Sequence, residues 1–277
     1  MSPTSPTSTG SPNSTGSADS AGGTDTGGTD NAAGAAALRA LHHGRPADRP
    51  LVLPGPWDAA SARVFEEAGF PALATPSAGV AASLGHEDGQ TPAAEMFAAV
   101  ARIARAVSVP VTADVEAGYG LPAKELVERA LHTGAVGVNL EDTAPGRVLR
   151  DPHEQADWLA AVREAAGPAL VINARVDTYL HGGTVADAAA RARLYTAAGA
   201  DCVYPIKAPA GDLPRLRAAG VEGPLNALAV PGGPSFAELG RLGATRITFG
   251  PILLHRALAG LGELARELAA DAGTDAE

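Results

Sequence analysis

From residue 51 to about residue 250 the chain alternates between two hydrophobic periods. Short aliphatic or β-branched runs occur at 51–53, 72–75, 110–113, 136–140, 170–173, 202–204, 224–227 and 246–249. Most are followed by a longer stretch with apolar residues three and four apart, clearest at 123–131, 156–165, 185–197 and 236–242. The short runs predict buried strands, and the wider spacing predicts helices with one face on a core. Glycine closes several of the helical stretches just before the next run, at Gly69, Gly134, Gly199, Gly220 and Gly243, where a left-handed residue ordinarily ends a helix. Eight strand–helix units without a nucleotide-binding glycine fingerprint predict a closed (β/α)8 TIM barrel over 51–268, in preference to an open doubly wound sheet.

The flanks read differently. Residues 1–33 are mostly Ser, Thr, Gly, Pro, Asp and Asn, too polar to offset the entropy of ordering, so a disordered tail is expected there. Residues 34–50 read as a linker with a short helix over 36–42, and residues 269–277 as a frayed end.

Composition narrows the class. The 277 residues are 45% apolar but only 4% aromatic, so Ala, Val and Leu must fill the core. A net charge of −10 argues against a nucleic-acid partner, which needs a basic face. A small anionic carboxylate or phosphonate substrate remains compatible, because a bound divalent cation reverses the local field of a carboxylate cluster. Cys202 is the only cysteine, so no intrachain disulfide can form. No apolar run reaches bilayer length and no signal-peptide pattern opens the chain, so a cytoplasmic protein with no membrane partner is expected.

Active sites of such barrels lie at the carboxyl ends of the strands, so the residues that follow each run carry the information. Trp57 and Asp58 follow the first run, and Thr75-Pro76-Ser77-Ala78 the second. The third ends in Asp114-Val115-Glu116-Ala117-Gly118-Tyr119-Gly120, and the fourth in Glu141-Asp142. The fifth leads through Asn173 to Arg175 and Asp177, and the seventh carries Asn226. On a continuing extended strand Asp114 and Glu116 would project the same way, and with Glu141 they would form an oxygen-rich cluster suited to Mg2+. The competing reading is that each acid caps the helix after its strand. Arg175 could clamp a carboxylate or stabilise an enolate oxygen, or serve a structural ion pair to Glu141 or Asp177. Backbone N–H groups of Ser77 and Ala78, where strand turns into helix, could receive a carboxylate.

These segments together resemble the isocitrate lyase/phosphoenolpyruvate mutase superfamily over essentially all of 50–265. The resemblance rests on Leu53-Pro54 through Trp57-Asp58-Ala59-Ala60-Ser61-Ala62, Thr75-Pro76-Ser77-Ala78-Gly79, the acidic run ending in Gly-Tyr-Gly, Gly137-Val138-Asn139-Leu140-Glu141-Asp142 and Asn173-Ala174-Arg175. It implies an α/β barrel whose last helix is exchanged between subunits of a homodimer or homotetramer. It implies Mg2+ near Asp114, Glu116 and Glu141, held largely through water, with Asp88 contacting metal-bound water or substrate. The Ser77–Ala78 turn, with Thr75 and Asn226, would bind substrate, and Arg175 would face the reacting group. The shared chemistry is a pyruvate enolate, formed by breaking a C–C or C–P bond beside it.

One stretch departs from the family pattern. The lyases carry a catalytic Cys in a Lys-rich Cys-Gly-His loop after the Glu-Asp pair, and the mutases place Lys and Asn there. Here the stretch is Thr143-Ala144-Pro145-Gly146-Arg147-Val148-Leu149-Arg150, and Arg147 or Arg150 could close over an anionic substrate. The expected activity is therefore a Mg2+-dependent lyase or decarboxylase of a small 2-oxo or 2-hydroxy di- or tricarboxylic acid. The alternatives are a phosphonomutase (carboxyphosphonoenolpyruvate or phosphoenolpyruvate mutase) or phosphonopyruvate hydrolase, and a non-catalytic metabolite-binding barrel.

Overall fold

The computed structural model describes residues 26–144 and 146–273. Eight parallel strands follow the predicted runs: β1 Leu51–Val52, β2 Leu73–Ala74, β3 Val111–Asp114, β4 Gly137–Leu140, β5 Val171–Val176, β6 Cys202–Pro205, β7 Asn226–Leu228 and β8 Arg246–Thr248. Ladder pairing joins β2, β3, β4, β5 and β6 in that order, and separately β1, β8 and β7. Two contacts close the ring. A parallel bridge between Val203 and Leu225 joins β6 to β7, and Ala74 N–H donates to Pro54 O at 3.0 Å beside β1. The sheet is thus the curled parallel barrel that the alternation predicted.

Alternation along the strands sorts the side chains. Val111, Ala113, Val138, Leu140, Ile172, Ala174, Val203 and Ile247 pack outward in one cluster with the surrounding helices. Their neighbours Thr112, Asp114, Asn139, Asn173, Cys202, Asn226, Arg246 and Thr248 take the other face of the sheet, where amide and hydroxyl bonds link them. The helices are α2 Ala59–Glu67, α3 Ser77–Leu84, α4 Ala93–Ala104, α5 Ala123–His132, α6 Pro152–Ala166, α7 Val185–Ala197, α8 Leu213–Ala218, α9 Phe236–Arg241 and α10 Ile252–Asp271. Side chains of Asp58, Asp151, Thr184 and Ser235 accept first-turn N–H groups of α2, α6, α7 and α9, which uses donors that a helix start leaves unpaired.

The first helix, α1, corrects the reading of the flank. It spans Thr26–Leu41, so helix replaces disorder over residues 26–33 and extends the short helix expected at 36–42; residues 1–25 of the expected tail lie outside the described residues. The cause is tertiary. Ala35 and Leu38, fully buried, pack with Leu51, Leu53, Ala72, Val136 and Val171 across the amino-terminal end of the barrel. Gly137 makes room: a Cβ there would meet Thr112 Oγ1 at 2.8 Å and Leu38 Cδ2 at 3.1 Å. Arg39 fastens the plug, donating Nε to Asp201 at 2.7 Å and its terminal nitrogens to Pro168 O and Leu170 O at 2.5 Å. At the other end helix continues through Asp271, past the expected onset of fraying, and residues 274–277 lie outside the described residues.

Candidate active site

The carboxyl ends of β2 to β5 bring the predicted polar residues to one mouth of the barrel. Asp114, the last residue of β3, is the best-anchored of them. Its Oδ2 accepts Ser77 Oγ at 2.8 Å and Ser77 N–H at 3.3 Å; its Oδ1 accepts Asn139 Nδ2 at 2.9 Å and Glu116 N–H at 3.3 Å. Thr75 contributes from just past β2, its hydroxyl oxygen accepting Asp114 N–H at 3.2 Å. Asn139 is oriented in turn by Asn173 Nδ2, which donates to its Oδ1 at 3.0 Å. This amide relay was not among the predicted site residues. Its sequence signal is an Asn in the middle of each of two apolar runs, Val138-Asn139-Leu140 and Ile172-Asn173-Ala174.

Glu116 reaches the mouth by a route other than the predicted one. β3 stops at Asp114, and Glu116 adopts φ +52, so the same-face argument from an extended strand fails there. The turn Asp114–Gly120 also contains Tyr119 at φ +55 and Gly118 at φ +82. Gly118 is obligatory twice over, since a Cβ would meet the Trp158 ring at 2.7 Å. Among the described residues Glu116 Oε1 is buried without a hydrogen-bond partner. Burial first, then the charges of Asp114 and Asp88, push the Glu116 carboxyl up to about 7.

Glu141 and Arg175 form the opposite side. Burial pushes the Glu141 carboxyl upward; the paired Arg175 guanidinium pulls against this, and Asp114, Asp177 and Glu116 add to it. Arg175 pairs through Nη1 with Glu141, and donates Nε and Nη2 to the two Asp177 oxygens at 2.6 and 3.0 Å. Both ion pairs offered as its structural role are therefore present. Three bonds still leave two guanidinium N–H groups for a ligand. Asp88, exposed in the loop after α3, is pushed up first by packing on its inner side and then by Asp114, while Arg175 and Arg147 pull it down.

The helix-cap alternative for the acids is not met. The residues preceding α5 and α6 are Pro122 and Asp151, so Asp114, Glu116 and Glu141 cap neither. Ala78 lies in the first turn of α3, where N–H groups have no intrahelical acceptor. Asn226 sits deeper, fully buried, donating Nδ2 to Thr248 Oγ1 at 3.0 Å. Beside it, in register on β8, lies Arg246, which the sequence reading missed: 1% exposed, with Nε and Nη1 donating to no described residue. After Glu141-Asp142 the chain forms a small antiparallel hairpin, Thr143–Ala144 against Val148–Leu149. Its two arginines have different fates. Arg150 is spent on Gln155, Ala117 O and the Trp158 ring, whereas Arg147 is exposed at the turn, at φ +61. Cys202 is buried within β6, and burial pushes its thiol up to about 11.

Barrel, acidic mouth and the paired arginine together define the class. Residues 38–269 match the phosphoenolpyruvate phosphomutase family, and the chain belongs to the isocitrate lyase/phosphoenolpyruvate mutase superfamily. Over 216 residues it is 33% identical to an uncharacterised protein of Mycobacterium tuberculosis, covering 76% of this chain and 81% of that one. It is 31% identical over 186 residues to the 2-methylisocitrate lyase of Halalkalibacterium halodurans, covering 63% of this chain and 61% of the enzyme. The crystal structure of a candidate phosphonomutase from Burkholderia cenocepacia superposes with a TM-score of 0.77 at 40% identity, covering 86% of this chain and 99% of that one. The named enzymes among these relatives support the lyase or mutase chemistry of the superfamily.

A divalent cation fits the mouth in one particular way. Among the described residues no three metal-competent side chains enclose a common point, so a three-carboxylate cage is not formed. Acids crowded enough to raise each other's proton affinity are nevertheless a site that a cation relieves. Mg2+ keeps most of its water and uses one or two carboxylates directly. Asp114 would hold it, with Glu116 and Glu141 acting through water.

Proposed function

We propose that the chain is a Mg2+-dependent lyase or decarboxylase that breaks a C–C bond in a small 2-oxo or 2-hydroxy di- or tricarboxylate and releases a pyruvate-type enolate. The observation that carries this reading is Arg175, held by Glu141 and Asp177 beside the Asp114–Glu116 acids at the mouth of the barrel. Ser77 and Ala78, at the start of α3, offer N–H groups to the substrate carboxylate, and the Ser77 contacts to Asp114 are the ones a ligand would replace. The two unspent N–H groups of Arg175 stabilise the enolate oxygen, where charge develops as the C–C pair shifts onto it. Bound Mg2+ supplies further neutralisation of that charge. The hairpin after Glu141 carries neither Cys nor His, so water protonates the enolate, which suits loss of CO2. Arg147, exposed at the turn of the hairpin, would meet a second carboxylate. Leu258, Leu261, Leu264 and Leu268, exposed along α10, support its exchange between subunits of a homo-oligomer.

The second reading, C–P chemistry, is favoured by the 40% identity to the candidate phosphonomutase. Incubating the protein and Mg2+ separately with 2-oxo dicarboxylates, alkylmalates and phosphonopyruvate, and following pyruvate, separates the two. Release from a carboxylic substrate supports the lyase. Turnover of phosphonopyruvate alone transfers the site to C–P cleavage. Failure to bind Mg2+ or to turn over any of them makes the barrel a binding module.

A further inference from the structure

Arg175 is held from behind as well as in front. Asp142, which has no exposed surface, lies next to Glu141, yet both of its oxygens are committed away from the mouth. Its Oδ2 accepts the Tyr195 phenol at 2.7 Å and Arg191 Nη1 at 3.2 Å, both from α7. The same Arg191 nitrogen donates to the phenol oxygen at 3.0 Å. Its Oδ1 accepts the backbone N–H of Asp177 at 2.8 Å. The Asp177 carboxylate, equally buried, receives Nε and Nη2 of Arg175 as a fork, and the Thr143 hydroxyl at 2.5 Å. An unbroken series of bonds therefore runs from the core side of α7 to the guanidinium at the mouth.

Packing alone does not account for this series. Two buried carboxylates side by side are costly unless each is fully bonded, and apolar residues would fill the same volume at less cost. What the charges provide is direction. The Asp177 fork sets the plane of the Arg175 guanidinium, and the Asp142–Asp177 bond fixes the backbone from which the fork projects. Burial and the neighbouring Asp142 push the Tyr195 phenol upward, so it remains a donor throughout the neutral range.

We propose that Tyr195 and Arg191 are positioning residues, holding the Arg175 guanidinium in register with the ligand through Asp142 and Asp177. The proposal rests on the reading above that Arg175 meets the developing oxyanion. Displacing a catalytic group by a fraction of its bond length lowers its effect steeply, so removing a hydroxyl remote from the ligand should be felt at the mouth.

Tyr195→Phe in the full-length protein is the test, because it keeps the ring and removes one bond. Hydrogen exchange reads the linkage directly: the Asp177 amide should exchange about tenfold faster in the variant. Oxalate, a planar dianion shaped like a pyruvate enolate, reads the consequence. Its affinity in the presence of Mg2+ should fall about tenfold in Tyr195→Phe. In an Arg175→Lys background the same change should cost nothing further, because the fork is already lost. Equal losses in the two backgrounds, or an unchanged Asp177 amide, would overturn the proposal in favour of a purely structural role. Faster Asp177 exchange with no oxalate binding by the wild type would leave the linkage standing and sink the enolate reading instead. If Tyr195→Phe does not fold, Arg191→Gln removes the other donor that α7 supplies to Asp142 and carries the same expectations at smaller size.

Discussion

Asp114 is the best-anchored acid of the mouth, four donors fixing its carboxylate while its acidic neighbours are left crowded, and under the proposed function it is the cation's direct ligand. Asp114→Ala should weaken Mg2+ binding, measured by calorimetry, and lower turnover by about a hundredfold or more, since loss of one oxyanion-stabilising contact commonly costs about 3–4 kcal/mol. Equal Mg2+ affinity in both proteins would show that Asp114 only organises the turn. The crowding also predicts a pH dependence. Glu116 holds its proton up to about 7 in the metal-free protein, well above an unfolded glutamate. The folded state thus binds more protons than the unfolded one between about pH 4 and pH 7. Its stability from this group is full below about pH 4 and is lost as pH rises through about 7. Melting of the metal-free protein should fall over that window, while Mg2+ affinity rises as the proton it displaces becomes easier to remove. A contribution to melting that climbs between about pH 4 and pH 7 relative to Glu116→Gln would contradict the assignment. Arg246 offers a third measurement at this scale: a buried cation lacking ion-pair partners among the described residues. Arg246→Met should preserve or raise the melting temperature; a large fall would reveal an essential buried partner.

Among the elements, α1 is the one whose extent the sequence pattern placed least well. The helix closes the end of the barrel opposite the mouth, and Leu38 is the larger of its two fully buried contacts, with Ala35, against the strands. Leu38→Ala should destabilise the fold by about 2–5 kcal/mol, read as a lower urea midpoint with an unchanged slope. A cost below about 1 kcal/mol would mean that the helix rests on the barrel without closing it. Sequence pattern located all eight strands because each is a short apolar run between helical stretches. It placed α1 too late because Gly27, Gly28 and Gly34 make the segment a poor helix by itself. Burial of Ala35 and Leu38 and the Arg39 contacts override that local preference.

For the whole molecule, the last helix stands out by its exposed apolar stripe. Of its 20 residues only Leu254 is buried, while Leu258, Leu261, Leu264 and Leu268 are 49–61% exposed at helical spacing. Four leucines along one stripe, in an acidic protein, are expected to pack on another subunit. Light scattering should therefore find a dimer or tetramer, and Leu261→Glu with Leu264→Glu should shift it to monomer while leaving the barrel folded. A monomeric wild type would refute the exchange of α10. No helix among the described residues is long and apolar enough to cross a membrane.

The sequence by itself determined the strand order, the superfamily and the gathering of Asp114, Glu116, Glu141 and Arg175 at one mouth. Hydrophobic period sets which residues lie in strands, and in a parallel barrel every strand ends at the same face. Tertiary structure alone decided how those residues are used. A strand that stops at Asp114 and a left-handed Glu116 replaced the expected two-residue repeat, because backbone dihedrals in a turn are set by what the turn packs against, here Trp158 behind Gly118. The Asn173–Asn139–Asp114 relay and the Tyr195–Asp142–Asp177–Arg175 series join residues up to 53 positions apart. No local pattern encodes such bonds, since their partners meet only once the barrel has closed.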